Sequence, residues 1–279
     1  MSIWRTTRFA IDLAEPRIMG IVNVTPDSFS DGGAHDTAAA ALRHCERLIV
    51  EGAHILDIGG ESTRPGSPAV PLETELARVL PVVREAVRLA VPVSVDTYKP
   101  EVMRAVLDLG ADIVNDIWAL RRPGAREAVA AHPSCGVCLM HMHRDPQSMQ
   151  ISPMEGDAVA AVGAFLSQQV QALAAMGVEP ARIVLDPGIG FGKTVEQNFA
   201  LLARQAELVG AGRPILAGWS RKSSLGAVTG IEAAAGRMVP SVAAALLAVE
   251  RGASIVRVHD VRDTAAALSV WRAMRQQQQ

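Results

Sequence analysis

The chain repeats one local pattern almost from end to end: a short run of β-branched and apolar residues, then a longer stretch with helical periodicity. Short apolar runs are typical of buried parallel strands, and the helical stretches provide the crossovers that such strands need. Several helical stretches end in a glycine just before the next strand, as helix C-caps do. The pattern predicts strands at about 18–23, 54–58, 93–96, 112–116, 136–141, 182–186, 214–218 and 254–258.

Eight strand–helix units with no linker or charge run between them favour an α/β fold, a single-domain (β/α)8 TIM barrel over about residues 18–274. An open, doubly wound sheet is the alternative. It requires a glycine-rich phosphate fingerprint after the first strand, and GIVNVTPDSF contains none. Segment 3–13 is predicted to add a short hairpin across the barrel bottom, and the final glutamines a disordered tail.

Composition narrows the classes of partner. With 27 basic and 29 acidic side chains the formal net charge is −2, so no overall field favours nucleic acid or an anionic membrane. The longest apolar stretch, near residues 238–249, is interrupted by Pro240 and Ser241 and is too short to span a bilayer. The first 17 residues lack the apolar run of a signal peptide. Three cysteines do not make a disulfide framework, so we expect a cytoplasmic protein.

Polar residues stand at the carboxyl ends of the predicted strands, where (β/α)8 barrels carry their active sites. Each of them alone would be explained as a helix cap, but caps normally lie later, at the helix start. Buried parallel strands are otherwise apolar, so the whole set indicates one functional site. The set comprises Asn23, Asp57, Asp96, Asn115, Asp116, His141, Asp186, Ser220, Arg257 and His259.

Two long loops and a group of basic residues suggest what this site binds. The loops VTPDSFSDGGAHD and GGESTRPGSPAV follow the first two strands, and Pro/Gly-rich loops of this length often close over a substrate. Basic residues follow the last two strands, in SRKSS (220–224) and RVHD (257–260), where barrels commonly bind phosphate. Arg64 in the second loop adds a further cation, so an anionic ligand is expected.

Asp96, Asn115 and Asp186 call for a different partner. A carboxylate accepts two adjacent N–H groups, and an asparagine both donates and accepts. The three residues therefore match the amino-pyrimidinone edge of a pterin or guanine. They could equally chelate a metal or act as acid and base, and spacing alone does not separate these possibilities.

Two other motifs have weaker functional interpretations. DPGIGFGKT (186–194) resembles a phosphate loop, but G-x-x-x-x-G-K-[ST] requires glycine where Pro187 stands. It is interpreted as a tight loop that brings backbone close to a ligand, with Phe191 available to cover it. Lys222 as a Schiff-base nucleophile is an alternative that lacks a clear acid–base partner.

A zinc site is the second alternative, suggested by Cys135 and Cys138 followed by His141 and His143. In an extended strand the two cysteines point to opposite faces, and the alternation separates Cys138 from both histidines. Buried strand cysteines are therefore the better interpretation.

Two long segments carry a family resemblance. MGIVNVTPDSFSDGG (19–33) and GAHILDIGGESTRPGS (52–67) resemble the signature segments of the dihydropteroate synthases, a pterin-binding family. Similar segments follow in the family's order: VSVDTYKPEV, GADIVNDI, LMHM, IVLDPGIGFGKT, GWSRKSSLG and RVHDV. The resemblance implies a TIM barrel and a transferase of folate biosynthesis. It would condense p-aminobenzoate with (7,8-dihydropterin-6-yl)methyl diphosphate to give 7,8-dihydropteroate and pyrophosphate.

The resemblance also implies Mg2+, a homodimer and competition by sulfonamides at the p-aminobenzoate site. The catalytic residues would be Asp96, Asp186, Lys222 and Arg64. Pterin would be held by Asp96, Asn115, Met140, Asp186, Phe191, Gly218, Lys222 and Arg257. The diphosphate would contact Thr63, Arg64, Arg257 and His259, and the metal Asn23. The p-aminobenzoate side would comprise Phe29, Thr63, Pro65 and Ser223.

Two rival functions share the pterin-binding barrel. A methyltetrahydrofolate-dependent methyltransferase would not need the TPDSFSDGG and STRPGS loops or the diphosphate cations. A non-catalytic pterin-binding relative should have lost Asn23, Arg64 or Lys222, and all three are present. A dissociative substitution fits the residues, because Asp96 and Asp186 could stabilise a pterin-methyl cation.

Overall fold

Eight parallel strands close a barrel within the part of the chain that the computed structural model describes, residues 3–25, 34–62, 66–145, 147–149, 151–209 and 212–278. The last strand pairs with both the preceding strand and the first barrel strand, which closes the ring. The predicted TIM barrel and its strands are confirmed. The strands are β1 (Ile3–Arg5) and β2 (Ala10–Asp12), then β3 (Arg17–Asn23), β4 (Ile55–Gly59), β5 (Val93–Asp96), β6 (Ile113–Asp116), β7 (Gly136–Met140), β8 (Ile183–Asp186), β9 (Ile215–Ala217) and β10 (Ala253–Val258).

Helices surround the barrel between successive strands. Where a disordered glutamine tail was expected, Gln276–Gln278 form a short 3₁₀ helix after the last α-helix. Further 3₁₀ helices are Pro180–Arg182 and Ala234–Arg237. The α-helices are α1 (Ala34–Val50), α2 (Leu72–Ala86), α3 (Pro100–Asp108), α4 (Ala125–Ala131), α5 (Ala158–Ala175), α6 (Val195–Ala203), α7 (Gln205–Val209), α8 (Ser223–Thr229), α9 (Met238–Glu250) and α10 (Val261–Arg275).

The barrel interior begins with an apolar layer at the amino ends of the strands. Trp4 of the antiparallel β1–β2 hairpin packs against this layer, and its Nε1 donates to the carbonyl of Arg182 at 2.9 Å. The predicted N-terminal hairpin is therefore present and closes the barrel bottom. The interior layer comprises Met19, Ile55, Ile113, Cys138, Val184, Leu216 and Ile255.

Strand alternation decides which polar side chains reach the barrel mouth. Side chains on a strand point to alternate faces, so residues two positions beyond the apolar layer share its interior face. Those positions are Ile21, Asp57, Asn115, Met140, Asp186, Gly218 and Arg257, each on or directly after one of seven strands. Neighbours in the opposite phase, such as Leu56 and Val114, belong to the outer core between strands and helices. The period of two thus places four polar side chains, those of Asp57, Asn115, Asp186 and Arg257, directly above the apolar layer.

Within the described residues one continuous helix, α5, has the length and apolar composition of a membrane span, and the bent pair Ser223–Thr229 and Ala234–Glu250 has them only if counted as one span. About one third of the most apolar window of α5 is buried inside the protein, and core helices of folded domains pass the same test. Val162, Leu166 and Leu173 of α5 lie in the outer core that covers β7 and β8. The apolar character of α5 is therefore accounted for by its packing on the barrel.

Candidate active site

A cavity of about 610 Å³ opens at the carboxyl ends of the barrel strands. It brings together every described residue to which the family resemblance gave a role, from seven barrel strands or the loops after them. Those residues are Asn23, Asp96, Asn115, Met140, Asp186, Phe191, Gly218, Lys222, Ser223, Arg257 and His259. Phe29, Thr63, Arg64 and Pro65 lie outside the described residues.

An ion-pair network forms the floor of the cavity. Arg257 donates from Nε to Asp57 Oδ2 at 2.6 Å and from Nη2 to Asp96 Oδ2 at 2.8 Å. Asp57 is fully buried and also accepts from Asn115 Nδ2 at 3.2 Å and from Ser94 Oγ at 2.6 Å. These bonds hold Asp96, Asn115 and Arg257 in one arrangement before any ligand binds.

The two carboxylates that face the cavity are held away from water. Burial raises the pKa of Asp96 to about 7, although Arg257 counteracts this shift. Burial also raises the pKa of Asp186, and a Gly188 N–H bond to Oδ1 at 2.6 Å opposes the shift together with nearby cations. Each carboxylate is therefore poised to gain from a ligand that donates N–H groups or develops positive charge.

Lys222 supplies a positive charge to the cavity. Its Nζ lies 4.2 Å from the centroid of the Phe191 ring, a cation–π distance. Burial lowers the pKa of Lys222 to about 8, and Arg257 adds to this lowering. The preceding residue, Arg221, has φ +60°, and its guanidinium binds both carboxylate oxygens of Asp260 at 2.6 and 3.1 Å. This turn aims Lys222 at the cavity.

His259 lies at the rim beside Ser220. The Ser220 Oγ lies 2.9 Å from His259 Nδ1 and accepts the His259 backbone N–H at 3.1 Å. Burial lowers the pKa of His259 to about 3, and the charges of Arg221 and Arg257 add to the effect. The ring is therefore neutral at pH 7. With Ser220 donating to Nδ1, its own N–H is on Nε2 and can donate to an anion.

The loop between β8 and α6 brings backbone close to the cavity, as its sequence predicts. Gly188, Gly190 and Gly192 all have positive φ. A Cβ at Gly188 would lie 1.9 Å from the carbonyl oxygen of His141, so no other residue fits there without moving the backbone. Phe191 is packed against Met140 and Met149 and forms an apolar wall of the cavity.

The donor set limits how a metal can bind. No group of three or more His, Cys, Asp or Glu side chains suited to a metal occurs among the described residues. Cys135 and Cys138 are both buried, and they lie on opposite faces of the barrel wall, Cys135 in the outer core and Cys138 in the interior. Asn23 offers one amide oxygen at the end of β3. Magnesium keeps several waters and takes ligands from substrate phosphates, so Asn23 fits a magnesium ion that arrives with a diphosphate.

Three strand-end residues do not face the cavity, contrary to expectation. Asp57 lies beneath it, with no exposed surface. Asp116 follows Asn115 in the outward phase and accepts the backbone N–H groups of Trp118 and Leu120 at 2.8 and 2.7 Å. His141 follows Met140, again in the outward phase, and its ring packs edge-on against Phe165 of α5. Alternation along the strand explains the last two cases.

Several residues that support the site were not singled out from the sequence. Glu61, which lines the cavity, accepts from Tyr98 Oη at 2.8 Å and from Lys99 Nζ. Lys193 is buried beneath the glycine loop. The local sequence does not predict the partners of Glu61 or Lys193, because these contacts form only in the folded chain.

The sequence of the chain matches a known protein family. Residues 19–259 match the family model described as pterin binding enzyme. The dihydropteroate synthase of Neisseria meningitidis serogroup C is 50% identical over 98% of this chain and 97% of its own length.

Solved structures of the same family are similar to this chain in fold as well as in sequence. The dihydropteroate synthase of Xanthomonas albilineans with 4-aminobenzoic acid is 52% identical, with a TM-score of 0.90 and 95% of each chain covered. That of Burkholderia cenocepacia complexed with 7,8-dihydropteroate is 52% identical, with a TM-score of 0.90, over 98% of this chain and 96% of its own.

Proposed function

The chain belongs to the dihydropteroate synthases of the pterin-binding enzyme family, and we propose how its cavity carries out their reaction. The enzyme is a transferase. It joins p-aminobenzoate to (7,8-dihydropterin-6-yl)methyl diphosphate and releases 7,8-dihydropteroate and pyrophosphate, a step of folate biosynthesis. The observation that carries the proposal is the convergence of Asp96, Asn115 and Asp186 on one cavity whose rim is cationic.

The pterin ring lies against these three residues. The two carboxylates accept ring N–H groups, and the amide of Asn115 has its orientation set by its bond to Asp57. Phe191 and Met140 supply the apolar contact that a flat ring needs, and Lys222 donates to a ring acceptor. Because Asp57 and Arg257 fix the polar groups beforehand, little freedom is lost when the ring binds.

Catalysis is a dissociative substitution. The C–O bond between the pterin methylene and the diphosphate breaks first, and the electron pair leaves with pyrophosphate. The cation that remains is stabilised by Asp96 and Asp186, which are preorganised and shielded from water. The nitrogen lone pair of p-aminobenzoate then forms the new C–N bond, and the ammonium proton passes to solvent. An arylamine is neutral near pH 7, so no strong base is needed.

The leaving pyrophosphate is bound at the cationic rim. His259 donates a neutral N–H, and Arg64 and Thr63 are assigned to the same end. Arg257 Nη1 makes no hydrogen bond to any described residue, which suits a phosphate oxygen. We propose that Asn23 holds magnesium there, and the metal supplies charge neutralisation for the leaving group. Ser223, Phe29 and Pro65 are assigned to p-aminobenzoate.

One assay tests the function. Purified protein with p-aminobenzoate, the dihydropterin diphosphate and magnesium should release pyrophosphate and form dihydropteroate in equal amounts. Pterin binding without any product would support a non-catalytic relative instead. Methyl transfer from methyltetrahydrofolate to a corrinoid protein, with no pyrophosphate-linked activity, would support the methyltransferase.

The pH dependence of turnover follows from the shifted carboxylates and lysine. Asp96 must be ionised, and burial raises its pKa to about 7, so kcat/KM for the pterin substrate should fall as the pH drops through about 7. Lys222 must be protonated, and its pKa is lowered to about 8, so activity should fall again above about 8. We expect a narrow, bell-shaped dependence of kcat/KM on pH, with its maximum between these two pKa values. A flat profile across this range would contradict the assigned protonation states.

Oligomeric state and compartment are proposed on separate grounds. We propose a homodimer through α8, α9 and α10, because large apolar side chains are exposed there. Light scattering should give twice the chain mass of 29.5 kDa. A reducing cytoplasm suits the three cysteines, all free and buried. The exposed side chains are Val228, Val239, Leu247, Val270 and Met274.

A further inference from the structure

The chain contains three lysines, and one of them has neither a part in the mechanism above nor a carboxylate partner among the described residues. Lys222 lines the cavity, and Lys99 binds Glu61 and Glu75. Lys193 does neither, although it stands in the segment that resembles a phosphate loop. Its side chain is 4% exposed and does not line the cavity. A buried ammonium group costs free energy, so its position requires an explanation.

Lys193 is surrounded by carbonyl groups of the glycine loop. Its Nζ lies 2.8 Å from the Gly188 carbonyl, 3.2 Å from that of Phe191 and 3.4 Å from that of His141. No carboxylate within the described ranges forms an ion pair with it. An ammonium group has three N–H donors and no acceptor, so it draws these carbonyl oxygens together.

His141 completes the ring of acceptors around Lys193. The Lys193 Nζ lies 2.9 Å from His141 Nδ1, and a protonated lysine can only donate to it. The imidazole therefore carries its proton on Nε2. Burial and the charge of Lys193 lower the pKa of His141 far below its usual value, so the ring remains neutral. This accounts for His141, which ends a strand but faces away from the cavity.

The loop held in this way makes two contacts on which the site depends. The backbone N–H of Gly188 donates to Asp186 Oδ1 at 2.6 Å. The Phe191 ring lies under the Lys222 ammonium at 4.2 Å. The carbonyl oxygens of Gly188 and Phe191 also accept hydrogen bonds from Lys193. Removing Lys193 would leave each carbonyl with only a backbone donor, the Phe191 N–H at 3.1 Å from the Gly188 oxygen and the His143 N–H at 3.4 Å from the Phe191 oxygen, so the loop would be held less firmly.

We propose that Lys193 is a positioning residue for the pterin site: its ammonium gathers the Gly188 and Phe191 carbonyls and so fixes the loop that orders Asp186 and Lys222. This inference rests on the proposed function, since it concerns how that site holds its pterin. Burial lowers the pKa of Lys193 to about 7, so its charge is fully present below that pH, where it helps to lower the pKa of Asp186 against the effect of burial.

The main test compares Lys193→Met with Asn198→Ala. Asn198 holds the same loop from the other side, accepting the Gly190 N–H at 2.8 Å, but carries no charge. Both variants should raise KM for the dihydropterin diphosphate and the calorimetric Kd for 6-hydroxymethylpterin, by about tenfold or more in Lys193→Met. KM for p-aminobenzoate should stay within twofold. Pterin affinity within twofold of the parent enzyme in a folded Lys193→Met protein would overturn the proposal.

The pH profile separates charge from loop geometry. Turnover requires Asp186 as well as Asp96 to be ionised, so Lys193→Met should move the acidic limb to higher pH, because the pKa of Asp186 rises when it loses a nearby cation. The other groups that face Asp186 are unchanged in the variant: Lys222 before α8, Arg257 on β10 and Cys138 on β7. Asn198→Ala should leave the limb in place. An equal shift in both variants would remove the electrostatic part of the proposal.

A measurement on the unaltered enzyme covers the case in which Lys193→Met does not fold. Lysine labelled with ¹³C at Cε gives three NMR signals, assigned with Lys99→Arg and Lys222→Met. Adding 6-hydroxymethylpterin should shift the Lys193 signal together with that of Lys222. A Lys193 signal that stays fixed while Lys222 responds would contradict the proposal. Because this readout and calorimetry require no turnover, failure of the pyrophosphate assay would be recognised separately.

Discussion

Replacing Asp96 with asparagine should lower kcat by a factor on the order of 10²–10³, the range seen when one preorganised electrostatic contact is removed. Asparagine has the same shape and can still accept from Arg257 Nη2, which lies 2.8 Å from the carboxylate. It cannot neutralise a cation forming on the pterin methylene. The variant should therefore bind 6-hydroxymethylpterin while failing to release pyrophosphate at the normal rate.

The stability of the Asp96→Asn protein should not fall together with its kcat. Burial raises the pKa of Asp96, which means that the folded protein disfavours the charged carboxylate relative to water. A neutral amide removes that cost, so the melting temperature of Asp96→Asn should match or exceed that of the parent. Asp263→Asn, on the exposed face of α10, is the matched control and should change neither quantity. Unchanged kinetics in Asp96→Asn would exclude Asp96 from the mechanism.

The position of the site was predictable from the sequence because it follows from strand geometry. A polar residue that ends a parallel barrel strand must lie at the mouth, whatever the helices do. The alternation of side chains along each strand also predicts which of the strand-end residues face the barrel interior. Since Asn115 and Met140 face inward, their neighbours Asp116 and His141 had to face outward, and alternation alone could have excluded both from the site.

The support of the site was not predictable in the same way. Arg257 and Asp57 are 200 positions apart, and their pairing depends on ring closure between β10, β3 and β4. Pro187 separates Lys193 from the lysines of phosphate loops at the level of sequence, but its carbonyl partners depend on the glycine turns folding back over β7. The assignments to Phe29, Thr63, Arg64 and Pro65 stay predictions, because those positions lie outside the described residues.

Replacing Arg257 with methionine should destabilise the fold as well as abolish turnover. Arg257 is bound by Asp57, which is fully buried, and by Asp96. Its loss leaves two carboxylates without their cation, and removing one partner of a buried pair typically costs about 3–5 kcal/mol. Urea denaturation should show a loss of that size. Arg88→Met removes an exposed pair with Glu85 and should cost less than about 1 kcal/mol.

The sign of the pH effect identifies the cause of that loss. Arg257 opposes the raised pKa of Asp96, so its removal raises that pKa further. A carboxyl with a folded pKa above its unfolded value takes up more protons when folded, so its contribution to stability falls as the pH rises between the two values. The loss of stability in Arg257→Met should therefore be smaller near pH 5 than near pH 8.

Adding Asp57→Asn to Arg257→Met should restore part of the stability, since the double variant buries one charge fewer. A double variant no more stable than Arg257→Met at either pH would show that lost packing, rather than an unpaired buried charge, explains the effect.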